Sequence, residues 1–240
     1  MESAPGLTYF HPMSTDDQKR AAGEAAAALV EDDMVVGLGS GSTAAWFVRA
    51  LAARALRVRC VSTSTSTEDL ARGLGLALLD LNDAPPIDLT VDGADEIGPG
   101  LSLIKGGGAA LLREKLVWEA SRRCVVIADA AKVAPVLGGY PLPVEVVAFG
   151  HRTTARRLAA VLEACGVGAP PQLRLRDGQP LVTDGGNLIY DTACGVIADP
   201  ARLAEALKPI TGVVEHGLFL GLADLALIGR DAGVTEMRPT

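Results

Sequence analysis

Concentrated positive charge is missing from this sequence. Its 22 lysines and arginines are scattered among 29 aspartates and glutamates, for a net charge of −7. Nothing resembles the basic cluster that lines a nucleic-acid groove. A nucleic-acid partner is therefore not expected, and an anionic small molecule would have to be held by a local site. Cysteine is sparse as well: Cys60, Cys124, Cys165 and Cys194 lie far apart with no C-x-x-C pair. That spacing suggests neither a zinc site nor a disulfide framework and fits a reducing cytoplasm. No uninterrupted apolar run approaches the ~20 residues of a membrane span. The first dozen residues lack the basic-then-apolar order of a signal peptide. Residues 1–13 read as a loose extension, with Met13 as an alternative start.

What is present is apolar mass. A hydrophobic fraction of 49% against 21% charged residues describes a well-buried globule, and 240 residues suit one large domain, or one domain with a small insert. From Ser14 onward the pattern alternates. A polar start at Ser14-Thr15-Asp16-Asp17 precedes an alanine-rich helix over 18–30, with Lys19 in its first turn against the usual acidic preference. A strand over 34–38 runs into Gly39-Ser40-Gly41-Ser42-Thr43 and a helix over 44–56. Strand, glycine turn, helix is a phosphate-binding arrangement. No Gly-Lys-Ser/Thr closes it, so it is not a Walker loop, and Ser42 stands where a dinucleotide fingerprint has its third glycine.

Strands are expected at 58–61, 76–81 and 87–91, with a helix from the Thr67 region capped by the preceding hydroxyl run. The strand at 87–91 ends in Asp92-Gly93-Ala94-Asp95-Glu96, carboxylates at the edge where parallel sheets bind ligands. Then comes Lys105-Gly106-Gly107-Gly108-Ala109-Ala110, followed by a helix carrying Arg113-Glu114-Lys115. The three glycines leave main-chain N–H groups open to a ligand, with Lys105 and Glu114 bracketing them. Another strand, 124–128, ends in Asp129-Ala130-Ala131-Lys132. Alternation to this point indicates a doubly wound, mostly parallel Rossmann-like α/β sheet.

Pro141-Leu142-Pro143 breaks the pattern. Beyond it the reading is strand 144–149, helix 153–164, strand 172–175, strand 187–191, helix 200–207, strand 213–219. That βαββαβ order is ferredoxin-like and describes an inserted α+β domain over 141–219. Residues 14–140 plus 220–240 would form the Rossmann-like domain, with strands at 223–228 and 233–237 returning to it.

Taken together, these motifs resemble the type A ribose-5-phosphate isomerases. The matching pieces are Gly39 to Thr43, Asp92 to Glu96, Lys105 to Ala110, Arg113 to Lys115 and Ala128 to Lys132. Pro141 to Val146, Gly212 to Glu215, Gly217 to Phe219 and Ala226 to Gly229 extend the match in order. The resemblance implies an aldose–ketose isomerase acting on ribose 5-phosphate and ribulose 5-phosphate in the non-oxidative pentose phosphate pathway. It implies no metal, no organic cofactor, and a homodimer or homotetramer. By position, Glu114 falls where the family has its proton acceptor, and Lys19 on a phosphate-contacting lysine. Ser40, Gly41, Ser42, Thr43, Asp92, Gly93, Ala94, Asp95, Lys105, Gly106, Gly107, Gly108 and Lys132 fall on substrate-binding segments.

On chemistry, Glu114 would carry the proton between C2 and C1, Lys105 and the glycine N–H groups would hold the enediolate oxygens, and Asp92 and Asp95 would open the furanose ring. Burial would raise the Glu114 pKa and the nearby lysine would lower it. Ser40 stands where a threonine is common, and Ala131 replaces a more usual serine. Two other readings fit parts of the chain: an amino-sugar phosphate isomerase/deaminase or lactonase relative, and a non-catalytic sugar-phosphate sensor domain. A sensor would usually bring a helix-turn-helix and a basic face, which the N-terminal extension is too short to supply.

Overall fold

The structure, a computed structural model, describes residues 13–239. Of the extension read over residues 1–13, residues 1–12 lie outside the described residues. Elements run α1 (Thr15–Ala27), β1 (Val35–Leu38), α2 (Gly41–Ala53), β2 (Arg59–Ser62), α3 (Thr65–Gly73), β3 (Ala77–Leu78), β4 (Leu89–Gly93), β5 (Glu96–Ile97) and β6 (Leu103–Ile104). They continue α4 (Leu111–Glu119), β7 (Cys124–Asp129), β8 (Leu142–Val146), α5 (His151–Ala164), β9 (Gln172–Leu173), β10 (Leu175–Arg176), β11 (Gln179–Pro180) and β12 (Leu188–Thr192). The last are α6 (Pro200–Leu207), β13 (Val213–His216), β14 (Leu218–Phe219), β15 (Leu225–Arg230) and β16 (Gly233–Met237).

Seven strands form the main sheet in the order β16-β15-β7-β4-β1-β2-β3. All its pairings are parallel except that of β15 with β16. Val35 to Leu38 and Cys124 to Asp129 are buried throughout, as near-continuous apolar strands covered on both faces must be. Helices α1 and α2 pack on one face. Ser14 caps α1 by accepting from the Asp17 N–H, and a Cβ on Gly23 would stand 2.7 Å from the Phe47 nitrogen. Glycine at that point lets the two helices approach closely. Ala22, Ala26, Phe47, Val48 and Leu51 fill the contact.

The second sheet has four antiparallel strands in the order β13-β8-β12-β9, with α5 and α6 against it. This is the ferredoxin-like βαββαβ order. It encloses its own apolar cluster of Leu142, Val144, Leu158, Leu162, Tyr190, Leu203 and Leu207. A three-stranded sheet, β14-β6-β5, links it to the main one.

Several boundaries differ from the sequence reading. α2 begins at Gly41 rather than Ala44, because Ser40 is extended and Gly41 adopts φ 87°, a turn that glycine enters freely. α1 begins at Thr15, so Lys19 lies past its first turn and the conflict with the helix dipole disappears. The strand expected over 76–81 is only Ala77–Leu78, a partly exposed sheet edge. The strand expected over 144–149 starts instead at Leu142 and stops at Val146, leaving Phe149 96% exposed. Pro143 is tolerated inside that strand, and its carbonyl still accepts from the Gly217 N–H. Finally, the strand expected over 213–219 is two strands. The chain changes sheets at Gly217, where any side chain would strike the Lys105 carbonyl.

Candidate active site

Four segments meet at the carboxyl edge of the main sheet. They are the turn from β1 into α2, the end of β4, the glycine run before α4, and the short 3-10 turn Ala130–Lys132 after β7. Lys19, Ser40, Gly41, Ser42, Thr43, Gly93, Ala94, Asp95, Lys105, Gly106, Gly107, Gly108, Glu114 and Lys132 line one cavity of about 120 Å³. A neighbouring hollow of about 490 Å³ shares Lys19, Asp95 and Lys132 and adds Tyr140 and Thr15. A larger hollow of about 570 Å³ is lined by Arg72, Leu81, Arg113 and Leu116 and holds none of these groups.

Asp92 is the exception among the expected residues. It is fully buried and does not line the cavity. It is the fourth residue of β4, not a residue beyond the strand, so its side chain points beneath the site. There Oδ1 accepts from the Ser40 and Gly93 N–H groups at 3.0 and 2.7 Å, and Oδ2 faces Lys105 Nζ at 3.0 Å. Gly39 makes room for it, since a Cβ there would overlap the Asp92 carboxyl group.

Lys105 is 2% exposed. Its ammonium donates to the Gly93 carbonyl at 2.6 Å, lies 3.3 Å from Glu114 Oε1, and sits 5.5 Å from the centres of both the Trp118 and Phe219 rings. Burial pulls its pKa down, but the charges of Asp92 and Glu114 outweigh burial and hold the ammonium above its usual range.

Glu114 enters the cavity from the first turn of α4 and is 4% exposed. Oε1 accepts from the Ser40 hydroxyl at 2.6 Å, whereas Oε2 is buried with no hydrogen-bond partner among the described residues. Burial raises its pKa to about 7; Lys105 and the Ser40 hydroxyl pull against it, and Asp92 adds to it. The balance between burial and the lysine is thus settled in favour of burial. An orphaned carboxylate oxygen that titrates near neutrality is suited to taking and returning a proton.

Around it stand donors. Gly107 N–H is engaged by Asp95 Oδ2 at 2.7 Å. Gly108 is exposed in the cavity wall, and its N–H has no protein acceptor among the described residues. At the opposite end, Lys19 Nζ donates to Ser42 Oγ at 3.1 Å, beside the open N–H groups of the first turn of α2. Lys132 Nζ lies 5.8 Å from the centre of the Tyr140 ring. The Ala131 N–H donates to Asp129 Oδ1 at 3.1 Å, so the segment keeps its turn without a serine there.

The tasks of two further charged residues were not legible in the sequence. Arg174, between β9 and β10, reaches the carbonyls of Gly106 and Gly107 and is paired with Asp191 of the four-stranded sheet. Glu96 accepts from the N–H groups of Gly138, Gly139 and Tyr140, which carries Tyr140 to the cavity rim. The one available signal was a charged residue in each of two expected strands, Arg174 and Asp191. Their partnership depends on a register that only the fold supplies. Among the described histidines, His151 Nδ1 meets the Tyr190 hydroxyl at 2.8 Å and His216 is buried, with neither in the cavity.

A proton-carrying carboxylate, an ammonium and free N–H groups at one end, and an anion cradle at the other, suit proton transfer beside a carbonyl in a phosphorylated sugar. Fold and site together define an aldose–ketose isomerase. The sequence profile of ribose 5-phosphate isomerase A (phosphoriboisomerase A) matches residues 59–233. Ribose-5-phosphate isomerase A of Caulobacter sp. (strain K31) is 67% identical over 95% of this chain and all of its own length. The protein of that name from Chloroflexus aurantiacus is 52% identical over 91% of this chain and 92% of its own. Among solved structures, ribose 5-phosphate isomerase A from Neisseria gonorrhoeae superposes with a TM-score of 0.89 at 34% identity, covering 96% of this chain and all of that one. A D-ribose-5-phosphate isomerase solved with phospho-erythronic acid gives 0.88 at 33% identity, over 94% and all of the respective chains. The chain belongs to the ribose 5-phosphate isomerase A family.

Proposed function

We propose that the protein interconverts D-ribose 5-phosphate and D-ribulose 5-phosphate through an enediolate, with Glu114 as the general base. The observation that carries this reading is the buried Glu114, with Oε2 unpartnered among the described residues, in the wall of a cavity with an anion cradle at its far end. The phosphate is placed on the N–H groups of Ser42 and Thr43 with Lys19 and Lys132 as countercharges. That anchorage holds C1 and C2 beside Glu114. Oε2 removes the C2 proton, and Lys105 with the Gly108 N–H stabilises the charge that develops on oxygen. The same carboxylic acid then returns a proton to C1, giving the ketose. Asp95, which lines the cavity with one oxygen not held by Gly107, moves protons at O1 and O4 in ring opening and between O2 and O1 in the enediolate. Asp92 acts from beneath by fixing the Lys105 ammonium.

The four-stranded sheet with its separate apolar cluster supports treating 141–219 as a second domain. A cytoplasmic homodimer or homotetramer is proposed on family membership, and no described helix is long and apolar enough to cross a membrane.

Ketose formation from ribose 5-phosphate, followed in EDTA for the wild type and for Glu114→Gln, tests the reading. Full wild-type turnover and a loss of at least about 10³-fold in the variant are expected. Activity that requires added metal, or an active Glu114→Gln, would overturn it.

A further inference from the structure

We propose that Arg174, clamped by Asp191, is a positioning residue that sets the orientation of the glycine peptides facing the substrate. The inference rests on the reading of Gly106 to Gly108 as the enediolate cradle.

Three glycines in a row give that cradle its close approach and also its weakness. A peptide plane between glycines can rotate by half a turn at little steric cost. Such a flip would present a carbonyl oxygen where an oxyanion needs an N–H. Because the C=O and N–H of a trans peptide point in opposite directions, holding one fixes the other. Arg174 holds the carbonyls. Its Nη1 donates to Gly106 O at 2.8 Å, which also accepts from the Ala109 N–H at 3.0 Å, and to Gly107 O at 3.2 Å, which has no other donor among the described residues. The Gly107 N–H is thereby aimed at Asp95, and the Gly108 N–H faces away from Arg174 with no protein acceptor among the described residues.

The guanidinium itself has little freedom. Its Nε and Nη2 donate to the two oxygens of Asp191 at 2.7 and 2.5 Å, a two-pronged pair of the kind arginine forms best. Backbone bonds from Arg174 N–H to Ile189 O and from Leu181 N–H to Arg174 O fasten the residue on both sides. Arg174 directly follows β9 and is clamped to Asp191 of β12, both strands of the four-stranded sheet, whereas the glycine run lies on the main-sheet side. The orientation of the cradle is therefore imposed from the other half of the molecule.

The test compares Arg174→Lys, Arg174→Ala and Asp191→Asn with wild type. Measured are kcat and KM for ribose 5-phosphate, and the affinities for phospho-erythronic acid and for inorganic phosphate. The first ligand has a carboxylate where the enediolate would lie, and the second reads only the remote anion cradle. In Arg174→Ala, kcat should fall by about 10²-fold and phospho-erythronic acid should bind correspondingly less tightly. Inorganic phosphate should bind within twofold of wild type, and Arg174→Lys should recover part of kcat. Unchanged kcat, or equal weakening of both ligands, would overturn the proposal. Should Arg174→Ala not fold, the lysine and asparagine variants carry the same comparison. A wild type that binds no phospho-erythronic acid would sink the cradle reading and this inference with it. Wild-type binding with indifferent variants would sink the inference alone.

Discussion

Glu114 is the residue whose environment decides most. Its carboxyl group is held near pKa 7 against an ordinary value of 4.5, chiefly by burial. The extra proton affinity of the fold stabilises the protein fully below about pH 4.5, and that contribution is lost as pH rises through about 7. Glu114→Gln, a neutral mimic of the protonated acid, should therefore raise the melting temperature more at pH 8 than at pH 5, while turnover is lost. Thermal melts at the two values check this; equal shifts would contradict it. Turnover needs the ionised form, so kcat/KM should climb on an acid limb centred near pH 7. The Ser40 hydroxyl favours the ionised carboxylate. Ser40→Ala should move that limb to higher pH, which a pH–rate profile will register.

Lys105 and Glu114 could be marked in the sequence, because a lysine, three glycines and a glutamate one helical turn on have few uses. Their protonation could not. It depends on burial and on Asp92 and, for Glu114, Ser40, which arrive from distant segments.

Among elements, the glycine run is the most constrained. A Cβ on Gly107 would lie 2.5 Å from both Asp95 Oδ1 and the Tyr140 hydroxyl. Gly107→Ala must displace one of them, so kcat should drop by about 10²-fold with far-ultraviolet circular dichroism unchanged; wild-type turnover would refute the close fit. Helix α4 was legible as a helix, but not the task of its neighbouring lysine. Lys115 turns away from the cavity and donates to Glu215 Oε1 and to the carbonyls of His216 and Leu218, each at 2.9 Å. Hydrophobic period and turn residues revealed most elements, since those signals are local. The ends at Gly41, Val146 and Gly217 escaped because they are set by a positive φ, an exposed Phe149 and a change of sheet.

At the scale of the molecule, the Lys115 contact ties the main-sheet side to the four-stranded sheet, and it is acid-sensitive. Burial opposes the charge on Glu215, but its bonds from Lys208 and Lys115 prevail and hold its pKa at about 2. Burial keeps His216 neutral, with a pKa of about 4. Both values lie below the ordinary ones of 4.5 and 6.5, so the stability they confer is present at neutral pH. It drains away as pH falls through about 6.5 to 4 for the histidine and 4.5 to 2 for the glutamate. Glu215→Gln should be less stable than wild type at pH 7 and should lose less on going to pH 3. Denaturant midpoints at the two pH values measure it, and parallel losses would exclude the assignment. The two-sheet architecture could be foreseen from the change of strand–helix rhythm after Pro143; the cross-ties could not, being long-range pairs of buried charge.

The position of β15 has a consequence for how the protein is made. This strand lies between β7 and β16, and Gly229 abuts the Gln18 carbonyl of α1 so closely that no side chain fits. During synthesis, β7 emerges about a hundred residues ahead of the strand that covers its edge. Through that interval the nascent chain carries an open edge on a strand whose first five residues are apolar, the kind that recruits other chains. A product stopped at Ala223 should collect in inclusion bodies, and recovery of soluble, active truncated protein would show that the edge is shielded in another way. Closure of the main sheet beyond β7 therefore awaits β15 and β16, the last of the described strands.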